Sequence, residues 1–186
     1  MVNSRDCEKC SACQYPSETE IEFAEVVRLV GGRLAADQLE VNLMAAVSRA
    51  DAVWEGDLTS GSGRVKVASG AFSEFPVTWA SRAESQHGKT SPEELLAAAH
   101  AACYSMAFSN GLSKAGHKVE RLNTTAEVEF VPGTGITTVT ITTVGRVAGI
   151  DAAEFQKQAE AAKDGCPVSK ALHGNITLKL NARLEA

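Results

Sequence analysis

Along residues 176–184 the chain alternates without a break: Ile176, Leu178, Leu180, Ala182 and Leu184 are apolar and the residues between them are Thr177, Lys179, Asn181 and Arg183. A period of two places the two kinds on opposite faces of a pleated strand, so this segment predicts a strand with one face on a core. Two threonine-rich runs upstream, TTAEVEFV (124–131) and ITTVTITTVGRV (136–147), meet at Pro132-Gly133 and predict a pair of strands. Nearer the start, AVWEGDLT (52–59) and GRVKVAS (63–69) flank the glycine-serine turn at SGSG, and FPVTWAS (75–81) follows another glycine. Three strands therefore precede the first long helix.

That helix is announced by its ends. Ser91 is an N-cap residue, Pro92 suits the first helical position, and Glu94 stands three residues on, the spacing of a capping box. Gly116 supplies a left-handed stop, so the helix runs from Ser91 to about Ala115, roughly 36 Å at ~1.5 Å per residue. No charged residue occurs from Leu95 to Gly111. A helix without a charged stripe has to be covered nearly all round, which predicts a central position and burial against a second copy of the chain. Asp151 caps a second, amphipathic helix, AAEFQKQAEAAK, that ends at Gly165. The order βββ-α-ββ-α-β predicts an α+β domain with an antiparallel sheet.

At 186 residues and 44% hydrophobic, the chain can bury one ordinary core. The domain is expected over residues 44–186. Residues 1–43 form an N-terminal extension, helical or poorly ordered: a polar opening is followed by EFAEVVRLVGGRLAADQLEV, a helix-like piece broken at Gly31-Gly32. The alternative reading is that the extension is not native and that the protein starts at Met44, with MAAVSRADAVWEGDL. A net charge of −5 without any Lys/Arg run argues against nucleic acid or an anionic membrane as partner. There is no apolar run of membrane-spanning length and no basic-then-apolar signal at the N-terminus, which predicts a cytoplasmic protein.

Five cysteines in a reducing compartment call for individual explanations. Cys7, Cys10 and Cys13 have two CxxC spacings, but a zinc or iron-sulfur site needs a fourth ligand and the nearest histidine is His87, so no metal is expected there. Cys103, inside the alanine-rich helix, would alone be inert packing. His100 precedes it by one turn, but adjacent turns rarely present both groups to one substrate and no oxyanion-hole glycine loop precedes the cysteine. A Cys/His hydrolase is therefore disfavoured, and His100 reads as packing.

The motifs TSPEELLAAAHAACYSMA and GCPVSKAL, in that order, with AVWEGDL before them and ITLKL after, resemble the OsmC/Ohr family of osmotically inducible and organic-hydroperoxide-resistance proteins, the OsmC branch more than the Ohr branch. The resemblance spans about Ser48 to Glu185. It implies an intertwined homodimer with two active sites at its interface, reducing organic hydroperoxides and hydrogen peroxide by thiol chemistry without heme, metal or other cofactor. On this resemblance Cys103 is the peroxide-reacting cysteine, Cys166 the resolving cysteine, Glu93 the glutamate ten positions before the first, and Arg82 the OsmC-branch arginine. The Ohr branch takes its arginine from the earlier hairpin, which makes Arg64 the rival. A dithiol would reduce the resulting disulfide; in the Ohr branch that is a protein-bound dihydrolipoyl group.

The chemistry is consistent with those assignments. An unperturbed thiol, with a pKa of about 8.5, is only a few per cent ionised at neutral pH, and a guanidinium nearby favours the thiolate. Glu93 lies ten helical residues from Cys103, about 15 Å along the axis and roughly 80° around it, so it would act across a dimer. The rival reading is a non-catalytic redox-responsive or ligand-binding protein, with Glu93 a first-turn acid and Arg82 a strand-end surface charge.

Overall fold

The computed structural model describes residues 45–84 and 88–185. The expected extension, its three cysteines and His87 lie outside the described residues. Strands β1 (Ala50–Glu55), β2 (Ser62–Val67) and β3 (Phe75–Val77) form one antiparallel sheet in sequence order. Helices α1 (Trp79–Ala83) and α2 (Pro92–Lys114) follow, then β4 (Lys118–Val131), β5 (Gly135–Ala148), α3 (Ala152–Gly165), α4 (Pro167–Leu172) and β6 (Thr177–Leu184).

The predicted helix ends form as their residues dictate. Ser91 Oγ accepts the Glu94 N–H at 3.1 Å and Pro92 takes the first position. The capping box is only half made, because the Glu94 carboxylate accepts the Thr90 hydroxyl at 2.7 Å instead. At the other end Gly116 has φ +84°, and the N–H groups of Gly116 and His117 donate to the carbonyls of Ser113 and Leu112. This is the paired closure that a left-handed glycine permits. Asp151 caps α3 by accepting the Glu154 N–H at 2.8 Å.

Three local expectations differ. The run 75–81 is not one strand: β3 stops at Val77, and Thr78 and Ser81 cap each other reciprocally, turning WASRA into α1. PVSKAL after Cys166 is a helix, started by Pro167. The second sheet is mixed, with strand order β4-β5-β6: β4 and β5 are an antiparallel hairpin, while β6 runs parallel to β5. The chain returns to β6 through two helices, and such a crossover brings a strand back in the same direction.

The core lies between this sheet and the helices. From α2 come Tyr104, Phe108 and Leu112, spaced four apart and all fully buried; Val139 and Ile141 come from β5, and Phe155, Ala159 and Ala162 from α3. Phe108 packs its ring 5.0 Å from that of Phe155. The opposite side of α2 is open in the single chain: Ala98, Ala102 and Met106 are exposed, Met106 by 67%. All six residues of β1 are exposed too.

Gly145 in β5 fits under Phe155 because it has no side chain. A Cβ there would lie 2.6 Å from the Phe155 ring and 2.9 Å from Leu122. Overpacking of this kind costs about 1–3 kcal/mol. Gly145→Ala is therefore expected to lower the midpoint of chemical denaturation by that amount of stability, with the slope unchanged.

Candidate active site

Cys103 is half-buried on α2, and Cys166 is fully buried at the junction of α3 and α4. Both are free thiols. The two are neighbours: Cys103 packs against the core cluster that contains Cys166, and the Cys166 thiol and the Val168 N–H both act on the Cys103 thiol. The reason is local. Pro167 fills the first position of α4 and has no N–H, so Val168 offers the first free donor of that helix. Burial pushes the Cys103 thiol up from its ordinary value; the Val168 N–H acts in the opposite direction, and the neighbouring Cys166 adds to the rise.

Arg82 and Glu93 form a second pair. Arg82 stands in the last turn of α1, and its Nε and one terminal nitrogen both donate to Glu93 Oε1, at 2.9 and 2.8 Å. Its guanidinium carbon sits 4.1 Å from the centroid of the Phe130 ring, in cation–π contact, and Trp79 meets that ring edge-on. Glu93 is buried, 6% exposed, and its Oε2 has no hydrogen-bond partner. The segment before α2 is tied down by Ser81, whose hydroxyl donates to the Thr90 carbonyl at 2.9 Å, while the Thr90 N–H donates to Pro76. Arg82 lines two clefts: a polar one of about 500 Å³ shared with Glu93, and an apolar one of about 350 Å³ walled by Trp54, Leu58, Val77 and Trp79.

Within one chain these two pairs do not meet. Glu93 and Cys103 are ten residues apart on α2, roughly 15 Å along its axis, and among the described residues no arginine contributes to the state of the Cys103 thiol. Arg64, the rival arginine, is half-exposed on β2 and pairs with Glu74 at 2.9 Å. His100 is fully buried and shares a 2.8 Å hydrogen bond with Ser169; burial alone pushes its pKa down. Among the described residues no cluster of three or more His, Cys, Asp or Glu side chains could hold a metal ion.

The OsmC-like protein family matches residues 85–181 of the chain. Peroxiredoxin OsmC of Escherichia coli strain K12 is 41% identical over 138 residues, which span 73% of this chain and 96% of that protein. The chain belongs to the OsmC family. Among solved structures, an organic hydroperoxide resistance protein from Elizabethkingia anophelis is similar with a TM-score of 0.56 at 26% identity, over 76% of this chain and 100% of that one. The organic hydroperoxide resistance protein OhrB of Bacillus subtilis is similar in fold, with a TM-score of 0.54 at 24% identity over 74% and 99% of the two chains.

In this OsmC-family chain, three participants were not anticipated from sequence. Phe130, under Arg82, carries the alternating pattern of a strand and nothing more. Val168 contributes a backbone group, which side-chain identity cannot reveal. Ser169 lies in a helix of six residues, too short for a periodic signal.

Replacing Cys166 by alanine removes the contribution of the second sulfur to the raised Cys103 pKa. The pH midpoint for Cys103 alkylation by iodoacetamide, followed by peptide mass spectrometry, is expected to move down. An unchanged midpoint contradicts the contact.

Proposed function

We propose that this chain is a cysteine-based peroxidase that reduces organic hydroperoxides and hydrogen peroxide, in defence against oxidative and osmotic stress. The observation that carries the reading is the neighbouring pair of free thiols, Cys103 half-buried on a central helix and Cys166 buried in the core beside it. Membership of the OsmC family, with a relative named Peroxiredoxin OsmC, supports the same chemistry.

The Cys103 thiolate attacks one oxygen of the hydroperoxide; the O–O bond breaks and, with a proton, the other oxygen leaves as alcohol or water. Cys103 becomes a sulfenic acid. The Cys166 thiol then displaces that hydroxyl as water, closing a disulfide, and an external dithiol reopens it by exchange. A dihydrolipoyl group on a protein is one such dithiol. A resolving thiol beside it protects Cys103 from irreversible oxidation.

Arg82 and Glu93 complete the site from a second copy of the chain. The open face of α2 at Ala98, Ala102 and Met106 and the uncovered β1, with Val53 and Trp54 exposed by 55% and 43%, support a homodimer. Two copies of α2 packed antiparallel across that face bring the Arg82–Glu93 pair of each toward the Cys103 of the other. There the guanidinium favours the thiolate and holds the peroxide oxygens, and Glu93 fixes its orientation. The apolar cleft beside Arg82 suits the organic part of a hydroperoxide. No helix among the described residues is long and apolar enough to cross a membrane, and a reducing cytoplasm would keep the dithiol supplied.

Consumption of cumene hydroperoxide coupled to dithiol oxidation is expected for the wild type, to be abolished in Cys103→Ser and limited to a single turnover in Cys166→Ser. One equivalent of peroxide should remove two hydrogens from the wild-type mass and add one oxygen to Cys166→Ser. A non-catalytic binding protein would show neither change.

Arg82→Ala is expected to lower kcat/KM by about 10²–10³-fold, the scale of losing one charge-stabilising donor. Mixing inactive Cys103→Ser with Arg82→Ala under subunit exchange should restore about a quarter of the wild-type activity, since half the dimers are mixed and each has one complete site. No recovery on mixing would mean that Arg82 serves its own chain or neither.

A further inference from the structure

The sulfur contact has a companion. His100 lies three residues before Cys103 on α2, and Ser169 lies three residues after Cys166 on α4. Their hydrogen bond, Nε2 to Oγ at 2.8 Å, therefore joins α2 to α4 one helical turn from the neighbouring residues Cys103 and Cys166. A single contact between two helices is a pivot; two contacts, one turn apart, fix direction as well as distance.

The need for a second contact follows from the size of α4. It has six residues, and Ser169 is its sole buried one. Val168 and Leu172 are partly buried against the core, which holds the helix down without setting its rotation. Both members of the polar pair are buried, His100 at 0% and Ser169 at 2% exposure, so no water competes for the bond. His100 Nδ1 is buried without a partner. An apolar side chain would fill that position without orphaning a ring nitrogen, so packing alone does not account for a histidine here, and its bond to Ser169 does.

We propose that His100 and Ser169 are positioning residues for disulfide closure, clamping α4 so that the Cys166 sulfur and the Val168 N–H stay directed at Cys103. The proposal rests on the peroxidase reading for its biological use. The step it serves is balanced as written above: the Cys103 sulfenic acid and the Cys166 thiol form one S–S bond and release one water. The clamp does not touch the peroxide, so it acts on this step and leaves the first oxidation alone.

Ser169→Ala and His100→Asn remove the bond, by deleting the hydroxyl and by shortening the reach; His100→Gln keeps a side-chain nitrogen near the place of Nε2. Each full-length variant is equilibrated with dithiothreitol, and the Cys103–Cys166 disulfide is quantified by peptide mass spectrometry. Loss of one buried hydrogen bond is expected to reduce the equilibrium constant for disulfide formation about tenfold, a potential about 30 mV less negative, with His100→Gln close to wild type. Under excess cumene hydroperoxide the bond-deleted variants should lose the Cys103 thiol at the wild-type rate yet accumulate about tenfold more Cys103 sulfinic acid. Wild-type disulfide equilibria and sulfinic acid levels in both bond-deleted variants would overturn the proposal. Equal slowing of both steps, without rescue by His100→Gln, would also overturn it, marking a merely structural pair. The dithiol equilibrium needs no peroxide: if the wild type consumes no hydroperoxide while the equilibrium still responds to Ser169→Ala, the peroxidase reading falls and the clamp stands.

Discussion

The packing of Cys103 beside Cys166 is the constraint on which the remaining structure depends. It joins residues 63 positions apart in sequence, so it exists only if the sheet hairpin, α3 and the turn into α4 all reach their places. Phe155, Ala159 and Ala162 anchor α3 along one face, and the Tyr104 hydroxyl donates to the Ala159 carbonyl at 3.2 Å, tying α3 to the helix that carries Cys103. The end of α3 then delivers Cys166 into the core. Burial that secures the meeting also opposes ionisation of Cys103, because a charged sulfur is poorly solvated there. A backbone N–H offsets part of that opposition.

A cation is held at the other end of α2. Glu93 is buried and would be costly as an isolated carboxylate; Arg82 supplies two donors to one of its oxygens and rests on Phe130. The guanidinium is thereby immobilised before any substrate arrives, which is what electrostatic stabilisation of a reaction requires. In a single chain the thiol and the carboxylate that holds the cation are ten residues apart on a helix of 23, about 15 Å by the ~1.5 Å rise. Between them α2 is apolar and exposed at Ala98 and Ala102.

Much of this was legible where the cause is local. Ser91, Pro92, Gly116 and Asp151 mark helix ends through bonds to neighbours a few residues away, and the alternation from Ile176 to Leu184 reflects one buried face. The features that escaped have non-local or very short causes. The helix at Trp79–Ala83 depends on a Thr78–Ser81 exchange inside a strand-like run of residues. The parallel direction of β6 depends on the path between strands, which periodicity does not record. Both cysteines were legible as a pair through family motifs, whereas the separation of Arg82 from Cys103 within one chain became visible only with coordinates.

The missing side chain at Gly145 reaches further than the strand that carries it. By leaving room for the Phe155 ring, it sets how deeply the first turn of α3 sinks onto the sheet. A rigid rod seated at one end fixes the height of its other end, and Cys166 follows that end directly. The height at which the Cys166 sulfur enters the core is thus gauged by an empty volume the size of one methyl group, on a strand far in sequence from the helix end that carries it.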